Sequence, residues 1–399
     1  MTQPRPYLRF PVCLVGISGY ARVYVDLLKS AAFRERIDWT SVVVVPAEKE
    51  QARARALEES GVRVYASFDA MLAAEGEGMR LCVIPTGIQW HARMTCDALR
   101  AGAHVLVEKP LAGCLADAEA VRACERETGR WVALGYQDLY AEALAWMKEQ
   151  LLAGAIGRLQ SVRVIGLWPR SEAYYARNHW AGRLQVDGAV AHDSPLNNAF
   201  AHFVNLALFL AGPAPRRSAE ATVTGAELYR AHCIESFDTA VVTAQSPGGT
   251  DFWFGVSHAC AGYREPEIHL TGEAGTAGWR HGQDCHLAPR GGPETRRPVS
   301  GPEESRRGMM DAVLRRLEKP DEPVCGTDIA IEHTRLIDAL HRDHAIHTVD
   351  GDTIDWCDVK GHAHPIPSIR GLEAFFDRAL RAGCSLRAAG FRPALASSA

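Results

Sequence analysis

Val105-Leu106-Val107-Glu108-Lys109-Pro110 sets a carboxylate and an amine directly behind an apolar run. The run reads as a buried strand, and in open α/β sheets the C-terminal ends of strands are where ligands bind. A lysine seldom ends an apolar strand for structural reasons, because an ammonium is costly to bury. Partial desolvation lowers an amine's pKa toward neutrality, where it can exchange a proton with an alcohol. Far upstream, Val12-Cys13-Leu14-Val15-Gly16-Ile17-Ser18-Gly19-Tyr20-Ala21 reads as a strand, a glycine-rich turn and a helix start. Such a turn lets the backbone approach a pyrophosphate seated on a helix N-terminus. Measured against Gly-x-Gly-x-x-Gly, the positions are Gly16, Ser18 and Ala21, with Gly19 inside and Tyr20 opening the helix. Alone, the turn fits a tight strand-to-helix connection equally well. Together with Glu-Lys-Pro it points to a dinucleotide. The second strand lacks the usual terminal acid for a ribose 2′-hydroxyl, since Pro46 stands there in Val45-Pro46-Ala47-Glu48-Lys49. Lys49 suits a 2′-phosphate and Glu48 a 2′-hydroxyl, and both also read as solvated helix residues. NAD and NADP both stay open.

These groups need a scaffold, and the first 136 residues describe one. Apolar runs at 9–16, 41–45, 62–66, 81–84, 104–107 and 131–136 alternate with helical patterns at 20–31, 48–60, 68–74, 90–101 and 115–128. Strands alternating with helices imply a parallel sheet with helices on both faces. After Gln137 the pattern changes. A helix over 141–153 and a strand over 157–167 lead into an aromatic-rich loop, 168–187, and then to a helix over 197–210. Strand-like alternation follows at 220–224, 239–244, 252–257 and 267–271, a Gly/Pro/Glu/Arg-rich stretch over 287–307 reads as a surface loop, and helices are expected at 308–318, 327–341 and 368–382. The fold class is therefore α/β. An N-terminal Rossmann domain over 1–136, a doubly wound parallel sheet, precedes a C-terminal α+β domain over 137–399. The latter carries an open, mostly antiparallel sheet with helices on one face.

The glycine turn, the Glu-Lys-Pro strand and the long second half together resemble the glucose-fructose oxidoreductase / inositol dehydrogenase / MocA family of NAD(P)-dependent sugar and polyol oxidoreductases. The resemblance implies reversible hydride transfer between nicotinamide and a secondary alcohol of a sugar, inositol or related polyol. It implies that Lys109 hydrogen-bonds the reacting hydroxyl, that Glu108 helps hold the cofactor edge, and that a cis bond precedes Pro110. The family's Thr-Pro-Asn-x-x-His segment bordering the cofactor reads Thr86-Gly87-Ile88-Gln89-Trp90-His91 here, keeping Thr86 and His91. His91 equally reads as a helix residue hydrogen-bonded locally. The family's Asp-x-x-x-His-x-x-Asp helix places its histidine at His202, a general acid or base alongside Lys109, with Asn198 and Asn205 where the acids would stand. Spacings of four and three put all three on one helical face. With amides in place of carboxylates, His202 is expected to be the weaker proton acceptor.

In the second half, Trp168, Arg170, Tyr174, Asn178 and Trp180 mix aromatic faces with hydrogen-bond donors, as sugar-binding clefts and packed loops both do. Asp193, before Ser194-Pro195-Leu196-Asn197-Asn198, can cap a helix or meet a sugar hydroxyl. Relatives include NAD-dependent glycoside hydrolases and non-catalytic sugar-pathway regulators, so a hydrolase and an NAD(P)/sugar sensor are the rivals. Relatives are commonly dimers or tetramers, which implies a homo-oligomer.

Composition narrows the classes further. At 399 residues two domains are the default, and 47% hydrophobic with 23% charged residues is ordinary globular composition. A formal net charge of −4 gives no reason to expect nucleic acid. No apolar run reaches the roughly 18 residues of a membrane span, and the first residues lack a signal-peptide pattern, so a cytoplasmic location is expected. Eleven cysteines without a Cys-x-x-Cys pair read as reduced thiols. His341-x-x-His344-x-x-His347 and His362-x-His364 lack a completing cysteine or carboxylate, so no metal is expected.

Overall fold

The computed structural model describes residues 9–44 and 50–396. The chain divides into two compact units. One comprises the described residues up to Ala112 with Ala116–Gln137 and Glu303–Thr327, the other Gly113–Leu115, Asp138–Pro302 and the described residues from Asp328 on.

In the first unit six parallel strands stand in the order β3-β2-β1-β4-β5-β6. They are β1 (Phe10–Val15), β2 (Ile37–Val43), β3 (Arg63–Tyr65), β4 (Leu81–Ile84), β5 (His104–Val107) and β6 (Val132–Leu134). Every residue of β4 and β5 is buried, as continuous apolar strands between two helical layers require. The connections carry α1 (Ala21–Lys29), α2 (Gln51–Glu59), α3 (Phe68–Glu75), α4 (Ile88–Arg100) and α5 (Leu115–Thr128). Strand order reverses between β1 and β4, which makes the C-terminal edge there the binding edge of a doubly wound sheet. The turns after β1, β4 and β5 all lie along it. Pro46, with the rest of Val45–Lys49, lies outside the described residues.

The second unit is built on a nine-stranded sheet. Across it run Thr295–Pro298, Asp284–Pro289, Gly275–Arg280, Arg264–Gly272, Leu159–Leu167, Asp251–Ser257, Thr239–Gln245, Thr222–Arg230 and Ile346–Thr348. All neighbours are antiparallel except Leu159–Leu167 with Asp251–Ser257 and Thr222–Arg230 with Ile346–Thr348. Helices α6 (Glu142–Leu152), α7 (Glu172–Tyr175) and α8 (Ala201–Ala211) belong to this unit. Helix cover is not confined to one face as the sequence suggested. Gly166 abuts Phe200, just before α8, while Ile165 and Leu167 point the other way into a cluster with Trp253, Leu372 and Phe376 of the helix Leu372–Ala382.

The stretch 287–307 is not a loop. It holds half of one strand, all of the next, and the start of the helix Pro302–Glu318. Thr-Arg-Arg-Pro is an edge strand with all four residues exposed, so no alternation marks it, and arginine with proline is how natural edges resist further pairing. The helix expected from 197 starts at Ala201, because hydrogen-bonded turns, Asn198 N to Ser194 O and Phe200 N to Pro195 O, come first.

Candidate functional site

On the first unit the turn after β1 is open. Ser18, Gly19 and Tyr20 are exposed, while Ala21 is buried at the start of α1. Gly16 holds φ +96° and Gly19 φ +56°, conformations that side chains other than glycine rarely adopt, and Gly16 N donates to Val43 O at 2.8 Å. No side chain caps the start of α1 among the described residues, so this helix end faces the opening with its positive dipole end.

Glu108 is buried directly behind β5 and points toward β6. Tyr24 Oη donates to its Oε1 at 2.5 Å and Lys109 N donates to its Oε2 at 3.2 Å. A Cβ on Gly135 would sit 2.6 Å from Oε1, so only glycine after β6 leaves the carboxylate its place. Burial pushes the Glu108 pKa up, and the Tyr24 bond pulls back only part of the way. Lys109 is half-buried and its bond to Pro110 is cis, as the resemblance implied.

His91 is fully engaged with backbone. Its Nδ1 lies 2.7 Å from Pro110 O and its Nε2 3.1 Å from Thr86 O, so it sits between the loops after β5 and β4 and its ring proton ties it to one of them. Burial lowers its pKa, and a neutral imidazole donates from one nitrogen only. Thr86 keeps its hydroxyl buried with no hydrogen-bond partner among the described residues. A positive-φ glycine turn, an uncapped helix start and a buried, unpartnered hydroxyl along one sheet edge fit a dinucleotide.

On the second unit His202 stands in the first turn of α8. Asn198 and Asn205 implied a histidine without a carboxylate beside it, and here the structure differs from that expectation. Asp138, in the short turn Gln137–Tyr140 after β6, brings Oδ2 to 3.7 Å from His202 Nδ1. Asn198 is not on the helical face at all. It lies in the turn before α8, where its Nδ2 donates to Asp193 Oδ1 at 2.9 Å. Asn205 is on α8, completely buried, and neither amide atom has a hydrogen-bond partner among the described residues.

The aromatic loop assembles in part. The Arg170 guanidinium lies 5.8 Å from the Trp168 ring and 4.9 Å from Tyr174, and Arg177 lies 3.7 Å from Tyr174 and 5.4 Å from Trp180. The result is a ladder of alternating rings and cations. Asn178 and Asp193 serve the fold. Asn178 Oδ1 accepts from Trp180 N and Ala181 N, and Asp193 Oδ2 accepts from Gly182 N at 2.6 Å.

Two buried histidines that sequence reasoning passed over hold the ladder's backbone. His232 Nδ1 lies 2.7 Å from Asp238 Oδ2 and its Nε2 2.8 Å from Arg170 O, while His258 Nδ1 lies 2.7 Å from Trp168 O. Burial works against a charged His232, but Asp238 outweighs it and raises the pKa. His258, buried without a carboxylate, is pushed well down. No spacing in the chain marks these pairs. Asp138 did carry a signal, being an acid two residues beyond the apolar run 131–136. Of the histidine-rich stretch, His341 stacks on His192 with centroids 4.2 Å apart, and burial pushes its pKa down to about 3. Among the described residues no three histidine, cysteine, aspartate or glutamate side chains group as metal ligands would.

Comparison with known proteins gives this arrangement a family. Residues 10–136 match the oxidoreductase family with an NAD-binding Rossmann fold, and residues 144–278 match the Gfo/Idh/MocA C-terminal domain. The chain belongs to the Gfo/Idh/MocA oxidoreductase family. Within it, the chain is 32% identical over 149 residues to the dTDP-3,4-didehydro-2,6-dideoxy-alpha-D-glucose 3-reductase of Streptomyces violaceoruber, covering 37% of this chain and 42% of that protein. It is 28% identical over 185 residues to the inositol 2-dehydrogenase of Leifsonia xyli subsp. xyli, covering 46% and 52%. The chain thus spans about half or less of the length of these curated relatives. Among solved Gfo/Idh/MocA-like folds, the WlbA dehydrogenase of Bordetella pertussis, in complex with NADH and UDP-GlcNAcA, superposes with TM-score 0.68 at 22% identity over 84% of this chain and 96% of that one. KijD10, a 3-ketoreductase from Actinomadura kijaniata in complex with NADP and TDP-benzene, gives 0.66 at 16% identity over 86% and 100%. At these identities the likeness is one of fold. The first unit is accordingly an NAD-binding Rossmann domain of the Gfo/Idh/MocA type.

Proposed function

We propose that this protein is an NAD(P)-dependent oxidoreductase that interconverts a secondary alcohol and a ketone on a sugar, inositol or related polyol. The observation that carries the reading is Glu108-Lys109-Pro110, set at the end of β5 on the same sheet edge as the Gly16–Ala21 turn. The turn and the start of α1 would hold the pyrophosphate, Thr86 and Glu108 the nicotinamide side. Bound NAD(P) supplies a hydride acceptor or donor at nicotinamide C4. The chain moves the proton. In the oxidative direction the Lys109 amine takes the hydroxyl proton as the carbinol carbon loses its hydride, and in the reductive direction the ammonium returns it. His202 is the proton carrier proposed for the second unit, with the Trp168–Trp180 ladder as the sugar-facing surface. Relatives named as sugar reductases and an inositol dehydrogenase support this substrate class.

Titration with NADH and NADPH, followed by reduced-cofactor fluorescence, tests the first half of the reading and decides which cofactor is used. Micromolar binding of one is expected, and binding of neither by folded, nucleotide-free protein removes the reading. A screen of free and nucleotide-linked sugars then supplies the substrate. With it in hand, Lys109→Ala should lower turnover by about 10²-fold or more, the usual scale for a lost general acid–base group. Unchanged turnover would assign the proton transfer elsewhere.

A further inference from the structure

The second unit carries a buried acid–imidazole pair that the family pattern does not provide. Both positions where the resemblance puts an aspartate near His202 are amides, Asn198 and Asn205. Asn198 Nδ2 donates to Asp193 Oδ1, and the Asn205 amide makes no hydrogen bond among the described residues. Asp138 reaches the ring instead from a different element, the turn between β6 and α6, 64 residues away in the chain. Its Oδ2 lies 3.7 Å from His202 Nδ1, with side-chain exposures of 8% and 14%. That separation is too long for a hydrogen bond and falls within ion-pair range once the imidazole is protonated. At such low exposure the attraction is only weakly screened by water.

We propose that Asp138 is the positioning carboxylate of His202, holding the imidazole with Nδ1 protonated so that Nε2 is the nitrogen that exchanges a proton. The proposal rests on the oxidoreductase reading given above for the meaning of that exchange, though not for the pairing itself. The chemistry is that of any carboxylate–imidazole pair. The acid fixes the tautomer and stabilises the imidazolium that forms when Nε2 takes a proton. It does not touch the reacting atoms. Hydrogen bonds of catalytic pairs are commonly long before substrate binds and shorten in the productive complex. An aspartate in that turn is also well held, since the turn is short and α6 begins just behind it.

The test uses the full chain labelled with ¹⁵N-histidine, with His202→Asn assigning the His202 ring signals. In the parent protein the ring nitrogens should report protonation at Nδ1. In Asp138→Asn the signals should move to a mixture of tautomers or to protonated Nε2, and Asp138→Glu should restore the parent pattern at least in part. With a turned-over substrate, Asp138→Asn should lower kcat by about 10- to 100-fold, the scale of lost outer-shell partners, with KM and NADH affinity within about twofold. A tautomer unchanged in Asp138→Asn overturns the proposal, whatever the activity. So does an unchanged kcat, since a pair that orients nothing used in turnover is not a positioning pair. A tautomer shift in a protein that binds no nicotinamide nucleotide supports the pairing and overturns the oxidoreductase reading, so the two failures are distinct.

Discussion

A single buried carboxylate concentrates much of what the first unit's binding edge demands. Glu108 is held by a hydroxyl 84 residues away in the chain, Tyr24 Oη at 2.5 Å, and by room that only Gly135 leaves. Burial raises its pKa, so the folded protein keeps the proton to higher pH than the unfolded chain does. Stability from this group is therefore complete below the ordinary glutamate value of 4.5 and declines as pH rises through the raised folded value. Tyr24 moderates the decline because its hydroxyl serves the ionised carboxylate best. Tyr24→Phe should cost about 2 kcal/mol at pH 8 and about half that at pH 5, the scale of a lost bond to a charged group. Urea denaturation at the two pH values checks this, and an equal loss at both would show that the bond serves the protonated acid as well. At this scale the sequence was uneven. Glu108 and Lys109 were legible because charge directly after an apolar strand is anomalous. Tyr24, Gly135 and Asp138 were not paired with their partners, because nothing in spacing links residues from different strands and turns.

Helix α8 shows how an element can be placed by something its own residues do not reveal. Its sequence, Ala-His-Phe-Val-Asn-Leu-Ala-Leu-Phe-Leu-Ala, is buried on nearly every side, and it lacks a basic residue in its last turn. The cation comes from α6. Lys148 Nζ donates to Phe209 O at 2.5 Å and to Gly212 O at 2.6 Å, and lies 4.9 Å from the Phe209 ring. Burial pushes this amine's pKa down to about 7. Between about 7 and the ordinary 10.5 the unfolded chain binds the extra proton, so this group adds stability as pH rises across that window and opposes folding below it. Lys148→Met should abolish that rise and leave two carbonyls without their donor, a loss of about 2 kcal/mol at pH 9. The difference from the parent protein should shrink as pH falls to 6, and a constant difference would contradict the lowered pKa. Thermal unfolding across pH 6–10 reads both. Element types were legible wherever period and burial agreed, as in β4, β5 and α8. They failed at Thr295–Pro298, where an exposed edge strand has no apolar face to alternate, and at 197–200, where turns with helix-like composition precede α8.

For the whole chain, what is not written locally is the return of a late segment into the first unit. The change of pattern after Gln137 is plain in the sequence, whereas nothing in 303–327 announces that it packs with strands two hundred residues earlier. The contacts say why it does. Cys325 O accepts from Leu134 N at 2.8 Å, covering the outer edge of β6, which would otherwise offer unpaired backbone. Arg36 pairs with Asp311 at 2.6 Å and Glu318 at 3.2 Å from a side chain only 15% exposed. Thr327 Oγ1 donates to Glu125, whose other oxygen accepts from Val132 N at 2.7 Å, so the segment also steadies the start of β6. A polypeptide of residues 9–137 alone should therefore fold poorly even though it contains all six strands. Joining 303–327 to it through a Gly/Ser linker should raise the melting midpoint by about 2–4 °C for each kcal/mol these contacts contribute, as expected for a domain of this size. It should also slow hydrogen exchange at the Leu134 amide and strengthen binding of reduced nicotinamide nucleotide, because β6 supplies the Gly135 end that makes room for Glu108. Identical melting and identical Leu134 exchange in the two polypeptides would mean that the Rossmann sheet is self-sufficient and the returning segment merely lies on it. The predicted result would make the cofactor unit a product of two distant stretches of the chain, completed only once residues 303–327 have joined the strands of the first 137.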